Sequence, residues 1–171
     1  AVSAARAAAP EGDAGPASAP VITVIEPEAF APVGRLGEWL FAEGVTLRMV
    51  RPWSGDAIPD FSEIGSGLVV LGGAMSAHDD ADHPWLADLR GLLRRIVDER
   101  VPAVAICLGA QVAAEALGGD TACPSPHGPE GGVVELELTE AAGQDAVFSD
   151  IVDEAVRAAV RAGIPTRDGT R

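Results

Sequence analysis

Lysine is missing from this chain, and positive charge of any kind is scarce. All 12 basic residues are arginine, set against 26 acidic residues, and the formal net charge is −14. The arginines form no cluster or stripe. Non-specific binding to a phosphate backbone rests on dense positive charge, so nucleic acid is excluded as an expected partner. Cysteine is nearly absent too. Cys107 and Cys123 make no disulfide framework, and with no secretory signal visible a reducing cytoplasm is the expected compartment. No apolar run approaches the ~18–20 residues a membrane span needs, so no membrane is expected. Two isolated cysteines and scattered histidines lack the spacing of zinc ligands. No phosphate-binding glycine loop is present. Neither a metal nor another cofactor is therefore expected.

What is present fits one domain with a core: 171 residues, 47% of them hydrophobic, which argues against global disorder. Residues 1–20, "AVSAARAAAPEGDAGPASAP", are mostly Ala, Pro and Gly and read as a disordered leader without the apolar stretch of a signal peptide. The first residue is Ala, which fits a processed or trimmed chain. "VITVI" (Val21–Ile25) reads as a buried strand. In "GRLGEWLFAEG", Leu36, Trp39 and Leu40 recur at helical spacing, with Gly44 as the stop. "VTLRMV" (Val45–Val50) and "GLVVLGG" (Gly67–Gly73) are further strands, separated by a loop from Pro52 to Ile64. A helix entering at Pro84 carries Trp85, Leu89, Leu92, Leu93, Ile96 and Val97 on one face. "VPAVAI" is a fourth strand, Leu108–Leu117 a helix, and Val134–Leu138 an alternating strand with one wet face. Strands alternating with helices, the earlier ones apolar throughout, predict a mostly parallel sheet covered on both faces. Ligands of such sheets bind at the carboxyl ends of the strands, where both Gly72–Gly73 and Cys107 fall.

The stretch "AICLGA" poses the functional question. A nucleophile elbow needs a strand delivering the residue to the sheet edge, small neighbours within two positions, and a helix starting at once. The helix N-terminus then favours thiolate and oxyanion. Ala105 and Gly109 flank Cys107 at the small positions, although alanine adds a Cβ where glycine is more usual. A free cysteine is also often a small apolar residue in a buried turn, and spacing alone leaves both readings open. An acyl-transfer site needs two amide donors. Leu108 N–H would be one, and the Gly72–Gly73 turn could present the other, unless that turn merely ends a strand.

"LVVLGGAMSAHDDADHPWL", followed about twenty residues on by "VPAVAICLGAQVAAEALGG", resembles the class I glutamine amidotransferase family, in its stand-alone branch related to the GMP synthase glutaminase domain. "GRLGEWLFAEGVTLRMVRPWSGDAIP" and "PEGGVVELELTEAAGQDAVFSD" fit the same branch, so the resemblance covers roughly Val21 to Asp150. It implies an α/β fold, a flavodoxin-like αβα sandwich, and a Cys–His–Glu triad. The cysteine of such a triad opens the glutamine side-chain amide through a thioester, giving glutamate and ammonia. By motif match Cys107 is the nucleophile, Gly73 and Leu108 supply the oxyanion-hole amides, and Gly72 and Gln111 lie beside the glutamine substrate. The partner candidates are a synthetase that uses the ammonia, or a second copy of this chain.

The resemblance stops near Asp150. The family places His and Glu in a C-terminal "H-P-E" motif, and no histidine of this chain lies after Asp150. "IVDEAVRAAVRAGIPTRDGTR" reads instead as an amphipathic helix, capped by Asp150 and stopped by Gly163, with a tail. The expected organisation is a leader over 1–20, an incomplete amidotransferase-like domain over 21–150, and a helix and tail over 151–171. The C-terminal strands are missing or replaced by that helix, as a truncated or frame-shifted product would show. "HGPE" (His127–Glu130) carries both residue types, but Glu130 aligns with the family's "E-x-G" segment, and His78 and His83 read as solvated loop residues. General acid–base help is worth ~10²–10⁴-fold, so this chain alone is expected to be a poor glutaminase. A non-catalytic binding module and a cysteine-elbow hydrolase of another substrate are the alternative readings.

Overall fold

A computed structural model of the chain describes residues 19–126, 128, 140–145 and 149. The contacts divide the chain into two units, residues 1–126 and 127–171. Within the second, a 3-10 turn spans Glu140–Gln144, and Ser149 N–H donates to the Asp145 carbonyl at 2.9 Å. The expected strand at Val134–Leu138, the helix expected beyond Asp150, His127 and residues 1–18 of the expected leader lie outside the described residues.

In the first unit, the apolar runs form four parallel strands: β1 (Val21–Ile25), β2 (Thr46–Val50), β3 (Gly67–Val70) and β4 (Ala103–Ala105), in the order β2-β1-β3-β4. Between them lie α1 (Gly34–Ala42) and α2 (Trp85–Asp98), and β4 leads into α3 (Leu108–Ala116). The flavodoxin-like α/β architecture holds, with a mostly parallel sheet and helices on both faces. Strand alternation sorts the core into two layers. Ile25, Leu68 and Val70 pack with Leu89 and Val112, of α2 and α3. Val24, Val69 and Leu71 pack with Val33 and with Leu36 of α1. β3 is buried at every position because it is covered on both sides, as its uninterrupted apolar run requires.

The helices differ from their expected faces in detail. α2 buries Leu86, Leu89, Leu92, Leu93 and Ile96, while Val97 stands 50% exposed. On α1 the expected stripe residue Trp39 is 60% exposed, with the Arg35 guanidinium 5.5 Å from its ring. Gly37 is the residue α1 buries, since a Cβ there would meet the Val33 side chain at 2.9 Å. β4 is shorter than expected. Pro102 stands before it without an N–H to donate, although its carbonyl accepts from Leu68 N–H at 3.0 Å.

Register aligns the strand exits. Ile25 is level with Val50 on one side and Val70 on the other, and Val70 is level with Ala105. The chain starts in the middle of the sheet, runs outward to β2, then crosses to β3. The strand order therefore reverses between β1 and β3, where open α/β sheets bind ligands. Leu89 is fully buried between the sheet and α2. Leu89→Ala is expected to cost about 2–5 kcal/mol, read as a lower urea midpoint with an unchanged slope.

Candidate active site

Cys107 lies two residues after β4 and caps α3 with φ 55° and ψ −116°. A non-glycine residue held in that region costs about 1–3 kcal/mol and persists only where its surroundings enforce it. Several bonds enforce it here. Ile106 N–H donates to the Val70 carbonyl at 2.9 Å, Gly109 N–H to Ile106 at 2.9 Å, and Gln111 N–H to Cys107 at 3.1 Å. Gly109 allows α3 to start against the sheet, since a Cβ there would lie 2.5 Å from the Val70 carbonyl oxygen. The cysteine is exposed, while Leu108 beside it is buried.

The glycine pair after β3 lies against this corner. A Cβ on Gly72 would sit 3.2 Å from Cys107 Cβ and 3.5 Å from its Sγ, and one on Gly73 would sit 3.1 Å from Leu108 Cδ2. Among the described residues, no hydrogen bond engages the amides of Gly73 or Leu108. Gln111 is exposed on the first turn of α3. A cleft of about 490 Å³ opens here, lined among others by Glu28, Val33, Leu36, Gly72, Gly73 and Cys107. That volume suits a small ligand. The structure thus brings Cys107, Leu108, Gly72 and Gly73 together, with Gln111 one turn along.

The family model described as glutamine amidotransferase class-I matches residues 42–160. The chain belongs to the class I glutamine amidotransferase family. It is 33% identical over 117 residues to the glutamine amidotransferase-like protein YfeJ of Salmonella typhimurium, covering 67% of this chain and 48% of that protein. The chain therefore spans about half the length of that curated relative. It is also similar to a crystal structure of a glutamine amidotransferase from Methylobacillus flagellatus, at 36% identity and a TM-score of 0.56, over 60% of this chain and 41% of that one. A glutamine amidotransferase from Thermotoga maritima shares the fold at 24% identity and a TM-score of 0.53, over 57% of this chain and 43% of that one.

For this amidotransferase-family chain, the histidines matter most where a base is wanted. Among the described residues, no histidine lines the cleft. His78 is an exposed loop residue, as expected, but its ring is tied to the end of α3 and the segment after it. Its Nε2 lies 3.0 Å from the Thr121 carbonyl, 3.1 Å from Thr121 Oγ1 and 3.5 Å from Glu115 Oε1. A carbonyl only accepts, so Nε2 carries the hydrogen. Thr121 donates its N–H and its hydroxyl to Glu115 Oε1, both at 2.6 Å. His83 instead tilts against Trp85, with ring centroids 5.9 Å apart. Arg90 of α2 holds the same loop, bonding the Ala77 carbonyl at 3.0 Å and the Asp80 carboxylate. Sequence reasoning missed these ties because the longest, from His78 to Thr121, spans 43 residues and the shorter ones follow no fixed spacing. No group of three or more potential metal ligands occurs among the described residues, and no helix there is long and apolar enough to cross a membrane.

Two predictions follow from this geometry. Gly109→Ala should cost about 1–3 kcal/mol by overpacking, and iodoacetamide should alkylate Cys107 at an altered rate, read by mass spectrometry. The second concerns Glu115, whose carboxyl is held below its ordinary 4.5, chiefly by the Thr121 hydroxyl and then by the Thr121 N–H. A carboxyl lowered on folding stabilises fully above its ordinary value and loses that contribution as pH falls through the lowered one. The difference in melting temperature between the protein and Glu115→Gln should therefore be largest near pH 6 and shrink as pH falls below 4.5. A constant difference across that range would contradict the assignment.

Proposed function

We propose that this chain carries the glutamine-opening site of a class I amidotransferase, with residues 21–150 as the amidotransferase-like domain and Cys107 as the nucleophile. The observation that carries the reading is the left-handed Cys107 at the start of α3, with the Gly72–Gly73 turn against its side chain. In this reading Sγ adds to the side-chain carbonyl carbon of glutamine. The carbonyl electron pair moves onto oxygen, where the amides of Gly73 and Leu108 donate to it and the α3 N-terminus favours the negative charge. The carbonyl then re-forms and the C–N bond breaks as the nitrogen takes up the proton that the thiol gave up, leaving ammonia and a γ-glutamyl thioester. Water adds to the thioester and returns the thiol and glutamate. Gly72 and Gln111 border the bound glutamine.

The ammonia goes to an acceptor held by a synthetase partner or by a second copy of this chain. The cytoplasm is the compartment this chemistry expects, since it keeps Cys107, a free thiol here, reduced. No proton-accepting histidine lines the cleft among the described residues. That observation favours a second reading, in which the chain binds glutamine and turns it over slowly or not at all.

A diazoketone analogue of glutamine tests the first reading. It should label Cys107 stoichiometrically, be blocked by excess glutamine, and fail on Cys107→Ser. Ammonia release by the chain alone is expected about 10²–10⁴-fold below that of a relative with a complete acid–base pair. Labelling without ammonia release selects the binding reading. Absence of both labelling and glutamine protection removes the amidotransferase chemistry from this chain.

A further inference from the structure

Glu28 belongs to no motif and precedes the residues that match the family. Among the described side chains lining the cleft, however, it is the one carboxylate. The exit of β1 runs beside the exit of β3, with Leu71 N–H donating to the Ile25 carbonyl at 3.0 Å. Pro27 is fully buried, and a Cβ on Gly73 would meet its Cβ at 3.4 Å. The chain then turns, with Ala31 N–H donating to the Glu28 carbonyl at 3.2 Å. From that turn Glu28 Oε2 accepts the Ala74 N–H at 2.7 Å, across 46 residues of sequence. A hydrogen bond to an ionised acceptor is shorter and stronger than one between neutral groups.

Ala74 directly follows the glycine pair. Two successive glycines have wide backbone freedom, and the Gly73 amide has no partner among the described residues. What holds the pair is therefore packing against Met75, Cys107, Leu108 and Pro27, together with the bond from Ala74 to Glu28. We propose that Glu28 is a positioning residue. By fixing the Ala74 amide it keeps the Gly72–Gly73 peptide against Cys107, so that the Gly73 N–H stands ready for charge developing on an attacked carbonyl. A donor set in advance stabilises that charge without reorganisation. The chemical purpose rests on the amidotransferase reading, whereas the pinning of the turn does not.

Hydrogen exchange on the full chain, resolved by mass spectrometry, tests the pinning. In Glu28→Ala the Ala74 amide should exchange about 10–100-fold faster, the loss expected for one hydrogen bond to a charged group, while β1 and α2 keep their protection. Glu28→Gln, whose side-chain carbonyl still accepts, should fall between. Unchanged exchange at the Ala74 amide overturns the proposal. Should Glu28→Ala lose protection throughout, Glu28→Gln decides, and faster exchange confined to the turn is then required. Two reagents probe the purpose. The diazoketone analogue, which draws on the oxyanion donors, should label Cys107 of Glu28→Ala at least about 10-fold more slowly, while iodoacetamide alkylation changes less than about 2-fold. An equal fall with both reagents means that the thiol itself has moved, and overturns the positioning role. If the unaltered protein takes no analogue while exchange in the turn still accelerates in Glu28→Ala, the amidotransferase reading fails and the pinning stands.

Discussion

The contact on which the site depends is the one between Gly109 and the Val70 carbonyl oxygen. No side chain fits between them, because a Cβ would stand 2.5 Å from that oxygen. Since α3 starts that close to the sheet, the chain has only Ile106 and Cys107 in which to turn from strand to helix. Ile106 still bonds the neighbouring strand, so Cys107 makes the sharp change of direction and adopts a backbone conformation that residues with a Cβ normally avoid. The strain lasts because it is spread over a buried frame. Leu108 and Val112 anchor α3 in the core, and Ile106 continues the ladder onto Val70. The exposed thiol follows from how the core packs.

Much of this was legible in the sequence, for identifiable reasons. β1 has the bounds that its apolar run indicates, and α1 ends where Gly44 allows it. The corner at Cys107 could be anticipated because small residues at fixed distances from a cysteine restrict the backbone locally. Side-chain direction was less legible. Trp39 fits the apolar spacing of α1 yet faces outward, because Gly37 brings the helix to the sheet on a different line. Val97 likewise continues a pattern that the helix has already rotated away from the core, and Leu86 is buried in its place. Spacing reports period, whereas packing sets phase.

Glu28, the His78–Thr121–Glu115 ties and the Arg90 clasp were not legible for another reason. None has a local signature: Glu28 and His78 reach partners that the fold brings near from far along the chain, and the Arg90 clasp depends on how the loop before α2 folds back onto it. Once the order β2-β1-β3-β4 is known, the exits of β1 and β3 must be neighbours, and a polar side chain after β1 then has the loop after β3 within reach. Topology carries that information, and a linear pattern does not.

The short β4, and the dispersal of the cleft's walls over three strand exits, bear on the life of the chain before it is finished. Glu28, Gly72 and Cys107 come from segments that meet only when the whole parallel sheet has paired, and pairings of such long sequence separation form late. Until then the sulfur has none of its neighbours. A nascent or partly opened chain therefore carries Cys107 as an ordinary free cysteine, and folding gives the thiol its glycine turn without hiding it.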